Sequence, residues 1–592
     1  YRFRLACNDG GIRWLCTAPD GRHARLYDAP TDGWRLTVYR AGFTTPAWFR
    51  TGVMYQIFPD RFARDSSATA QRGMEHHRRM GQTVHYHADW DEPVEWQANT
   101  PEGEYAPVDF YGGTLRGIAD RLHYLRKLGV TVLYLNPIFE SASNHRYDTG
   151  DYRKVDPILG TNTDFKKLCA AAADCGIRIV LDGVFAHTGA DSRYFNRFRH
   201  YPGCGAYNSR SSVYTRWYSF AHYPDDYKCW WDFKDLPAIN AANPDWRKYM
   251  ITSERSIVKT WLRDGASGWR LDVADELPDD VLRDMRTAAK AADPDSVLLG
   301  EVWEDAVTKV SYGERRQYAL GDALDSVMNY PLRDALAAFL TGRSTARALA
   351  DLLLSQRLNY PQPLYYALMN LTASHDVART RSALALDFDP RSRTRAELAA
   401  LEITDAMAAR GAQLQVLAAA VQFWLPGIPS IYYGDEAGMQ GLCDPFNRAP
   451  LQMCDTQMLQ WYAQLTALRH AHPALTRGEV AVFAPAGDVL CILRVIAGER
   501  DAFGEEAEDE ALLLIVNRAA HPVHCHAELT CPGAGLCEET RLAFVRSEYD
   551  CAVDCFDDTH IVLHDGVGAF DLPPYAAKIY RLENRHGTET GS

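Results

Sequence analysis

Long apolar runs and an excess of positive charge are both missing from this sequence. The longest mostly apolar stretch, residues 416–433, is interrupted by Gln422, Pro426 and Gly427, so no segment reaches the roughly 20 apolar residues of a membrane-spanning helix. Lys and Arg number 63 against 77 Asp and Glu, which gives a net charge of −14. Because binding to a phosphate backbone needs concentrated positive charge, we expect no nucleic-acid partner, no membrane segment and a neutral substrate.

Paired cysteine spacings are also missing. The 14 cysteines show no C-x-x-C pair and no histidine arrangement typical of zinc, which argues against a disulfide framework and a structural zinc site. No signal peptide opens the sequence, and its first residue is Tyr1 rather than Met, so we expect an upstream piece to be missing. Ordinary reduced cysteines favour a cytoplasmic location.

The sequence has enough apolar material for a large core. Its 592 residues are 47% hydrophobic and 24% charged, which is typical of globular proteins, and the length predicts roughly two to four domains. Residues 1–48 have the pattern of short strands separated by turns, and residues 34–39 alternate between apolar and polar side chains as a half-buried strand does. We interpret residues 1–48 as part of an N-terminal β-domain.

Apolar runs alternate with helical patterns between residues 49 and 470. Strands that are buried on both faces have nearly continuous apolar sequence, and their alternation with helices implies parallel crossovers. Eight such runs are present, at residues 53–58, 130–135, 177–181, 268–271, 297–299, 323–328, 366–371 and 428–433. Eight βα units predict an α/β fold, a (β/α)8 TIM barrel whose active site lies at the carboxyl ends of the strands.

Two further segments interrupt or follow the barrel pattern. Residues 188–245 are rich in Tyr, Trp, Gly and Pro with little helical period, and we expect a small domain inserted after strand 3. The aromatic residues 230–233 within it either line the cleft or form the core of that domain. Residues 471–592 return to strand patterns and predict a C-terminal β-sandwich domain.

Polar side chains gather where the predicted strands end. Three acids, two histidines and one arginine follow strands 3, 4, 5 and 7: His187, Arg270, Asp272, Glu301, His375 and Asp376. Burying carboxylates costs free energy unless they have partners or a task. A rim salt bridge would explain any one of these acids alone, but the whole set at one end of a barrel indicates a catalytic site.

Short segments around these strand ends form a recognisable set. They are LDGVFAH (residues 181–187), GWRLDVADE (268–276), GEVW (300–303) and LTASHD (371–376), with NHRYDTGDY (144–152) and YGDEAGM (433–439) in addition. Together they resemble the α-amylase family of glycoside hydrolases over about residues 53–470. YQIFPDRF (55–62), FYGGTLRGI (110–118) and GDEAGMQGLCDPFNRAP (434–450) resemble most the neopullulanase, cyclomaltodextrinase and maltogenic amylase group. The resemblance implies a neopullulanase-like glycosidase of carbohydrate metabolism, acting in starch degradation.

The resemblance also implies a role for each matching residue. Asp272 corresponds to the nucleophile, Glu301 to the general acid and base, and Asp376 to the acid that steadies the distorted sugar ring. Arg270, two positions before Asp272, would keep that carboxylate ionised and oriented. The remaining residues would contact the glucose units of the substrate: His145, Tyr147, His187, His375, Arg379, Asp444 and Arg448.

The chemistry of acetal cleavage requires the same pair of acids independently of the family. One acid protonates the leaving oxygen, and in enzymes that retain the anomeric configuration an opposing carboxylate attacks the anomeric carbon from about 5–5.5 Å away. Adjacent barrel strands lie about 4.8 Å apart, so Asp272 and Glu301 on strands 4 and 5 can meet that separation. We therefore predict net retention of the α-anomer, with Glu301 carrying a proton near neutral pH.

The sequence departs from the family pattern where some relatives bind calcium. Many members have Asn at the position of Ala186, and that Asn often ligates the ion. Alanine offers no side-chain ligand atom and residues 64–67 contain only one carboxylate, whereas Ca²⁺ takes about 6–8 oxygen ligands. We therefore expect no metal and no other cofactor.

Three functions remain open from the sequence. The first is retaining hydrolysis of α-1,4-glucosidic bonds, with α-1,6 bonds as a second target, in malto-oligosaccharides, starch, pullulan or cyclodextrins. The second is a transglycosylase, an α-glucanotransferase that passes the same covalent intermediate to a sugar. The third is an inactive barrel that serves as a glucan-binding or scaffold subunit, although all three catalytic acids are present. Close relatives often dimerise through a longer N-terminal domain, so a homodimer also stays open.

Overall fold

The protein was analysed as a computed structural model that describes residues 1–18, 24–101, 103–530 and 534–584. At the N-terminal end, strands Phe3–Ala6, Ile12–Thr17 and Ala24–Tyr27 form an antiparallel sheet. Every side chain of the first of these strands is exposed, which places this sheet at the periphery of the molecule.

The prediction of a strand at residues 34–39 is wrong. These residues belong to no strand, and the side chains of Leu36 and Val38 are 77% and 75% exposed. Alternation between apolar and polar residues stabilises a strand only when a neighbouring strand completes its hydrogen bonds. The segment instead contacts the barrel, where Thr37 Oγ1 donates to the carbonyl oxygen of Asn359 (2.6 Å).

Eight parallel strands within the described residues form the central barrel. Barrel strands 1 to 8 are Met54–Ile57, Val132–Leu135, Arg178–Gly183, Gly268–Leu271, Val297–Gly300, Ser326–Val327, Met369–Leu371 and Ile428–Tyr432. Each strand pairs with the next in chain order except the sixth and seventh, which are joined by a bridge between Met328 and Met369, and the eighth pairs with the first. The barrel therefore closes, and the (β/α)8 prediction is confirmed.

Helices cover the outside of the barrel. The longer ones are Leu115–Asp120, Leu122–Lys127, Asn162–Asp174, Ile257–Arg263, Asp279–Ala292, Tyr330–Leu340, Ala346–Asn359, Asp405–Trp424 and Thr456–Ala471. Side chains at several N-termini accept hydrogen bonds from free backbone amides, as in the capping box of Thr161 and Asp164, and such caps stabilise helix ends. The helices bury their apolar faces against the strands in one continuous core.

Two long excursions leave the carboxyl end of the barrel. The first follows strand 1 and contains helix Thr69–Arg79 and the strand pair His85–Tyr86 and Asp109–Phe110. The second follows strand 3 and contains strands Phe220–His222 and Asp226–Tyr227 with several short helices: Thr215–Trp217, Trp230–Asp232, Pro244–Arg247 and Lys248–Thr252. Only the second excursion was expected from the sequence.

A second, antiparallel sheet follows the barrel and confirms the predicted C-terminal β-sandwich architecture. Its strands are Glu479–Ala486, Val489–Ile496, Glu510–Asn517, Val523–Glu528, Cys551–Asp554, His560–His564, Val567–Leu572 and Ala576–Glu583. The buried Arg494 joins it to the barrel, because its guanidinium donates to the carbonyl oxygens of Trp424 (2.7 Å) and Leu475 (2.8 Å). No helix in the described part of the chain has the length and apolar character needed to cross a membrane.

Candidate active site

Two acids stand side by side at the ends of strands 4 and 5. Leu271 pairs in register with Gly300, so the residues that follow them, Asp272 and Glu301, are neighbours. The amide of Glu301 donates to Leu271 O (3.0 Å) and that of Asp272 to Gly183 O (3.1 Å), which extends the backbone ladder past the strand ends. The two acids are only 6% and 4% exposed. They are therefore held on rigid elements, as an active site requires.

A single buried guanidinium connects these acids. Arg270 Nη1 lies 3.0 Å from Asp272 Oδ1 and 2.7 Å from Asp182 Oδ1, while Nη2 lies 2.7 Å from Glu301 Oε2. Asp182 is also the cross-strand neighbour of Arg270 in the register of strands 3 and 4. The planar fork of an arginine holds several carboxylates at fixed angles, and this geometry supports the predicted role of Arg270 in orienting Asp272.

Glu301 accepts two further hydrogen bonds. Trp303 Nε1 donates to its Oε1 (2.9 Å), and the amide of Val273 donates to its Oε2 (2.7 Å). Val273 has a φ of 36°, a left-handed conformation that β-branched residues rarely adopt. Strain of this kind is typical of functional sites. Here the strained residue is the one that follows Asp272 and donates its amide hydrogen to Glu301.

Asp376 joins the same site through an aromatic stack. Tyr330 OH donates to Asp376 Oδ2 (3.3 Å), and the ring of Tyr330 stacks on Trp303 with centroids 3.9 Å apart. Trp303 in turn binds Glu301, so all three predicted acids belong to one connected site. The side chain of Asp376 is 26% exposed, which makes it the most open of the three.

A hydrogen-bonded group lies beside the acids. Tyr147 OH donates to Asp182 Oδ2 (2.8 Å) and lies 2.5 Å from His375 Nε2, and the two rings stack at 5.3 Å. Tyr134 OH also donates to Asp182 Oδ2 (2.7 Å). Asp182 and Tyr134 were not among the predicted site residues. The signal for Asp182 was its place at the end of strand 3, level with Arg270.

The two other predicted histidines hold the loop that carries Tyr147. His187 Nε2 lies 3.1 Å from Tyr147 O, and its ring lies 5.6 Å from the ring of Trp230. His145 Nδ1 accepts from the amide of Tyr147 (3.0 Å) and contacts Ser143 Oγ (3.1 Å). Both rings therefore lie beside the cleft, with one nitrogen of each committed to the protein.

Asp444 and Arg448 form the rim above His375. Arg448 Nη1 pairs with Asp444 Oδ1 (2.9 Å), and Nε and Nη2 donate to the carbonyl oxygen of His375 (3.1 and 3.0 Å). The side chain of Asp444 is 40% exposed. The pair is therefore attached to the backbone of His375, with the Asp444 carboxylate partly open to solvent.

Arg379, which the resemblance assigned to a glucose contact, lies buried beside the residues that follow strand 8. Its side chain is fully buried, and Nη1 donates to Tyr433 O (2.5 Å) and lies 3.4 Å from Asp435 Oδ1. The guanidinium also packs over the rings of Tyr432 and Tyr433. Nη1 thus offsets the charge of the buried Asp435, while Nε and Nη2 are buried with no hydrogen-bond partner among the described residues.

Burial sets the charge state of the site. It lowers the pKa of His187 to about 4 and that of His145 to about 3, and it lowers the pKa of His375 well below its ordinary value. It raises the pKa of Asp272, Asp182 and Asp376, the last to about 7, against the opposing effect of Arg270. Carboxyl groups outnumber guanidinium groups here, and the neighbouring carboxylates further raise the pKa of Asp272.

The surroundings of Ala186 do not fit a calcium ion. Its methyl group is buried and its carbonyl oxygen accepts the amide of Ile239 (2.9 Å). Near residues 64–67, the guanidinium of Arg64 donates to the carbonyl oxygens of His87 and Tyr111 (both 2.6 Å), so these oxygens already accept hydrogen bonds from a protein cation. Within the described ranges, no group of three or more His, Cys, Asp or Glu side chains is arranged to hold a metal ion.

An aromatic surface borders the cleft on the inserted segment. Trp231 and Phe233 are 68% and 58% exposed, and the ring of Trp231 stacks on Trp230 at 5.0 Å. Trp231 Nε1 donates to Glu276 Oε1 (3.3 Å), four residues after Asp272. Trp231 and Phe233 therefore face the solvent and not the core of the inserted segment.

Fold and site together define a barrel enzyme that carries a carboxylate pair. Comparison with known protein families identifies the family. The alpha-amylase catalytic-domain family matches residues 56–457. The chain therefore belongs to the alpha-amylase family, as the sequence motifs predicted.

Several named glycoside hydrolases are similar to this chain. An amylopullulanase from Thermoanaerobacterium saccharolyticum is 36% identical over 541 residues, covering 84% of this chain and 40% of that protein. A cyclomaltodextrinase from Geobacillus thermopakistaniensis (strain MAS1) is 32% identical over 489 residues, covering 81% and 70%. Cyclic alpha-maltosyl-(1-->6)-maltose hydrolase from Arthrobacter globiformis superposes with a TM-score of 0.67 at 28% identity, covering 91% and 100%. The chain spans less than half the length of the amylopullulanases it matches.

Proposed function

We propose that this protein hydrolyses α-1,4-glucosidic bonds in α-glucans with retention of configuration, through a covalent glycosyl intermediate on Asp272. The observation that carries the proposal is the placement of Asp272 and Glu301 on adjacent strands around one guanidinium, with Asp376 in the same connected site. The named activities of the similar proteins, which act on pullulan or cyclic maltodextrins, support a glucan substrate.

In the first step Glu301 gives its proton to the glycosidic oxygen while Asp272 Oδ2 or Oδ1 attacks the anomeric carbon. The C–O bond to the leaving sugar breaks, its electron pair stays on the protonated oxygen, and a glycosyl ester forms on Asp272. Arg270 stabilises both carboxylates from below the cleft. The rim pair Asp444 and Arg448 would bind the neighbouring glucose unit.

In the second step Glu301, now ionised, removes a proton from water as the water attacks the same carbon. The bond to Asp272 breaks, and the carboxylate returns to its contact with Arg270. Two inversions give an α-configured product. Asp376 and the neutral His375 would bind hydroxyls of the sugar while its ring is distorted toward the oxocarbenium-like state.

Transfer to a sugar acceptor is a second candidate because of the exposed stack of Trp230, Trp231 and Phe233. Flat aromatic faces bind sugar rings and would hold an acceptor in place of water. Reaction with maltotriose at rising concentration separates the two outcomes. Products longer than the substrate show transfer, whereas glucose and maltose alone show hydrolysis.

The experiment that tests the proposed function is a product assay with purified protein on maltotriose, pullulan and β-cyclodextrin. Proton NMR of the first product should show the α-anomer, and an initial β-anomer would contradict the retaining mechanism. Asp272→Asn should lower kcat at least about 1,000-fold. Asp174→Asn is the control, because it changes an exposed carboxylate at the end of helix Asn162–Asp174. Full activity of Asp272→Asn would remove the nucleophile assignment.

A further inference from the structure

Gln56 is a buried polar residue of barrel strand 1 that lies directly against His375. It is completely buried, and its Nε2 lies 2.9 Å from His375 Nδ1 and 3.0 Å from Asn136 Oδ1. A polar side chain inside a barrel costs free energy unless its hydrogen bonds are used. These two contacts connect strands 1 and 2 with the residues that follow strand 7.

The hydroxyl group of Tyr147 fixes the direction of the hydrogen bonds in this network. It has one proton, and the Asp182 carboxylate, which Arg270 holds at 2.7 Å, accepts it at 2.8 Å. The other groups at the Tyr147 oxygen must therefore donate. They are Nδ2 of Asn136 at 3.1 Å, Nε2 of His375 at 2.5 Å and Nη1 of Arg270 at 3.4 Å.

These directions determine both amide orientations and the histidine tautomer. With Nδ2 of Asn136 facing Tyr147, its Oδ1 faces Gln56 and must accept from Nε2 of that residue. With the His375 proton on Nε2, Nδ1 has no proton and needs a donor, which Gln56 Nε2 provides. The reversed amide orientations would place several acceptors around the single proton of Tyr147.

We propose that Gln56 is a positioning residue that fixes His375 as the neutral Nε2–H tautomer, with its amide held in place by Asn136. The Nε2–H of His375 then points at the Tyr147 oxygen, 2.5 Å away, and fixes the imidazole ring with Nε2 3.2 Å from Asp376 Oδ1. The hydrogen-bond directions stand on geometry alone. Only the catalytic consequence rests on the proposed function.

The wild-type protein provides the direct test. Neutron diffraction from a deuterated crystal, or ¹⁵N NMR of histidine-labelled protein, reports which ring nitrogen of His375 carries the proton. We expect the proton on Nε2 and none on Nδ1. A proton on Nδ1 overturns the inference, and this readout does not depend on whether the protein cleaves a glucan.

Two variants separate positioning from simple packing. Gln56→Met removes the donor, and misplacing a group at the reacting centre costs about 100-fold in kcat, with KM little changed. Gln56→Glu places an acceptor against Nδ1, so the neutral imidazole must carry its proton there and lose the Nε2–H. The imidazolium form keeps both protons, so the activity of Gln56→Glu should fall further as pH rises, unlike that of Gln56→Met.

The pH profile must be interpreted with all groups that face His375: Asp376, Tyr147, Arg270, Arg448 and His145. The control is Gln422→Glu. Gln422 is equally buried in the barrel wall, and its Nε2 donates to Asn370 O (2.9 Å) and Ser430 O (2.7 Å). That variant should lower thermal stability without changing the pH profile. If both Gln56 variants lose the same fraction of kcat and keep the wild-type pH profile, Gln56 contributes only to packing and the proposal is wrong.

Discussion

Nη2 of Arg270 lies 2.7 Å from Oε2 of Glu301, while Nη1 of the same side chain holds the neighbouring nucleophile candidate. One buried cation thus lies beneath both acids that the proposed reaction uses. It stabilises the carboxylate that is negative at each stage, because the charge moves from Asp272 to Glu301 when the glycosyl ester forms. The guanidinium can contact both acids at once because its donor groups have a fixed planar arrangement.

Arg270→Lys should therefore lower kcat on maltotriose by about 100-fold or more. An ammonium group is a point charge on a flexible stem, and it cannot contact Asp182, Asp272 and Glu301 together. The control is Arg494→Lys, which changes a buried guanidinium that binds backbone carbonyl oxygens between the barrel and the C-terminal sheet and should retain more of the activity. Equal kcat values for the two variants would contradict the linking role of Arg270.

Glu301→Gln should lower kcat for maltosides about 100- to 10,000-fold, because the leaving oxygen is no longer protonated. An α-glucosyl fluoride needs little proton assistance, so its first step should be largely spared. Single-turnover kinetics on both substrates check this prediction. If both substrates slow by the same factor, Glu301 is not the acid.

Asp376→Asn should stabilise the protein at pH 8 but not at pH 4. Burial raises the pKa of Asp376 to about 7 from an ordinary value of 3.8. Between pH 3.8 and pH 7 the carboxyl group is therefore protonated in the folded state and ionised in the unfolded state. The stability contribution of Asp376 therefore falls as pH rises through that window and is most unfavourable above pH 7.

The measurement for this prediction is the melting temperature of wild type and variant from pH 4 to pH 8. The difference should grow with pH, although the 26% exposure of the side chain limits its size. Asp444→Asn is the control, since its exposed carboxylate pairs with Arg448 and should give no such gain. A difference that shrinks toward pH 8 would contradict the buried-carboxyl interpretation.

Trp231→Ala should raise KM for maltotetraose about 3- to 10-fold and leave kcat on a short chromogenic glucoside nearly unchanged. A stacking face of this kind contributes about 1 kcal/mol to sugar binding. Phe198→Ala is the matched control, because Phe198 is 49% exposed on the same inserted segment. If both variants bind the long substrate equally well, Trp231 does not belong to the binding surface.

The sequence predicted the barrel because its strands are buried on both faces. All eight apolar runs became barrel strands, and four acids at strand ends, Asp182 among them, lie in one site. The strand predicted at residues 34–39 failed because its alternation found no neighbouring strand. The contacts of Arg379 with Tyr433 and Asp435 were not predicted, because sequence position does not show on which side of a strand end a long side chain finds its partner.

Local sequence pattern by itself determined the order of strands and helices and the residue types at each strand end. Both depend only on residues that are close together in the sequence. Only the tertiary structure decided which atoms meet. The contact of Gln56 with His375 spans 319 positions of the chain, and that of Tyr147 with His375 spans 228. Such contacts depend on how the barrel closes, which places residues from strands 1, 2 and 7 within hydrogen-bond distance and thereby fixes the direction of each proton.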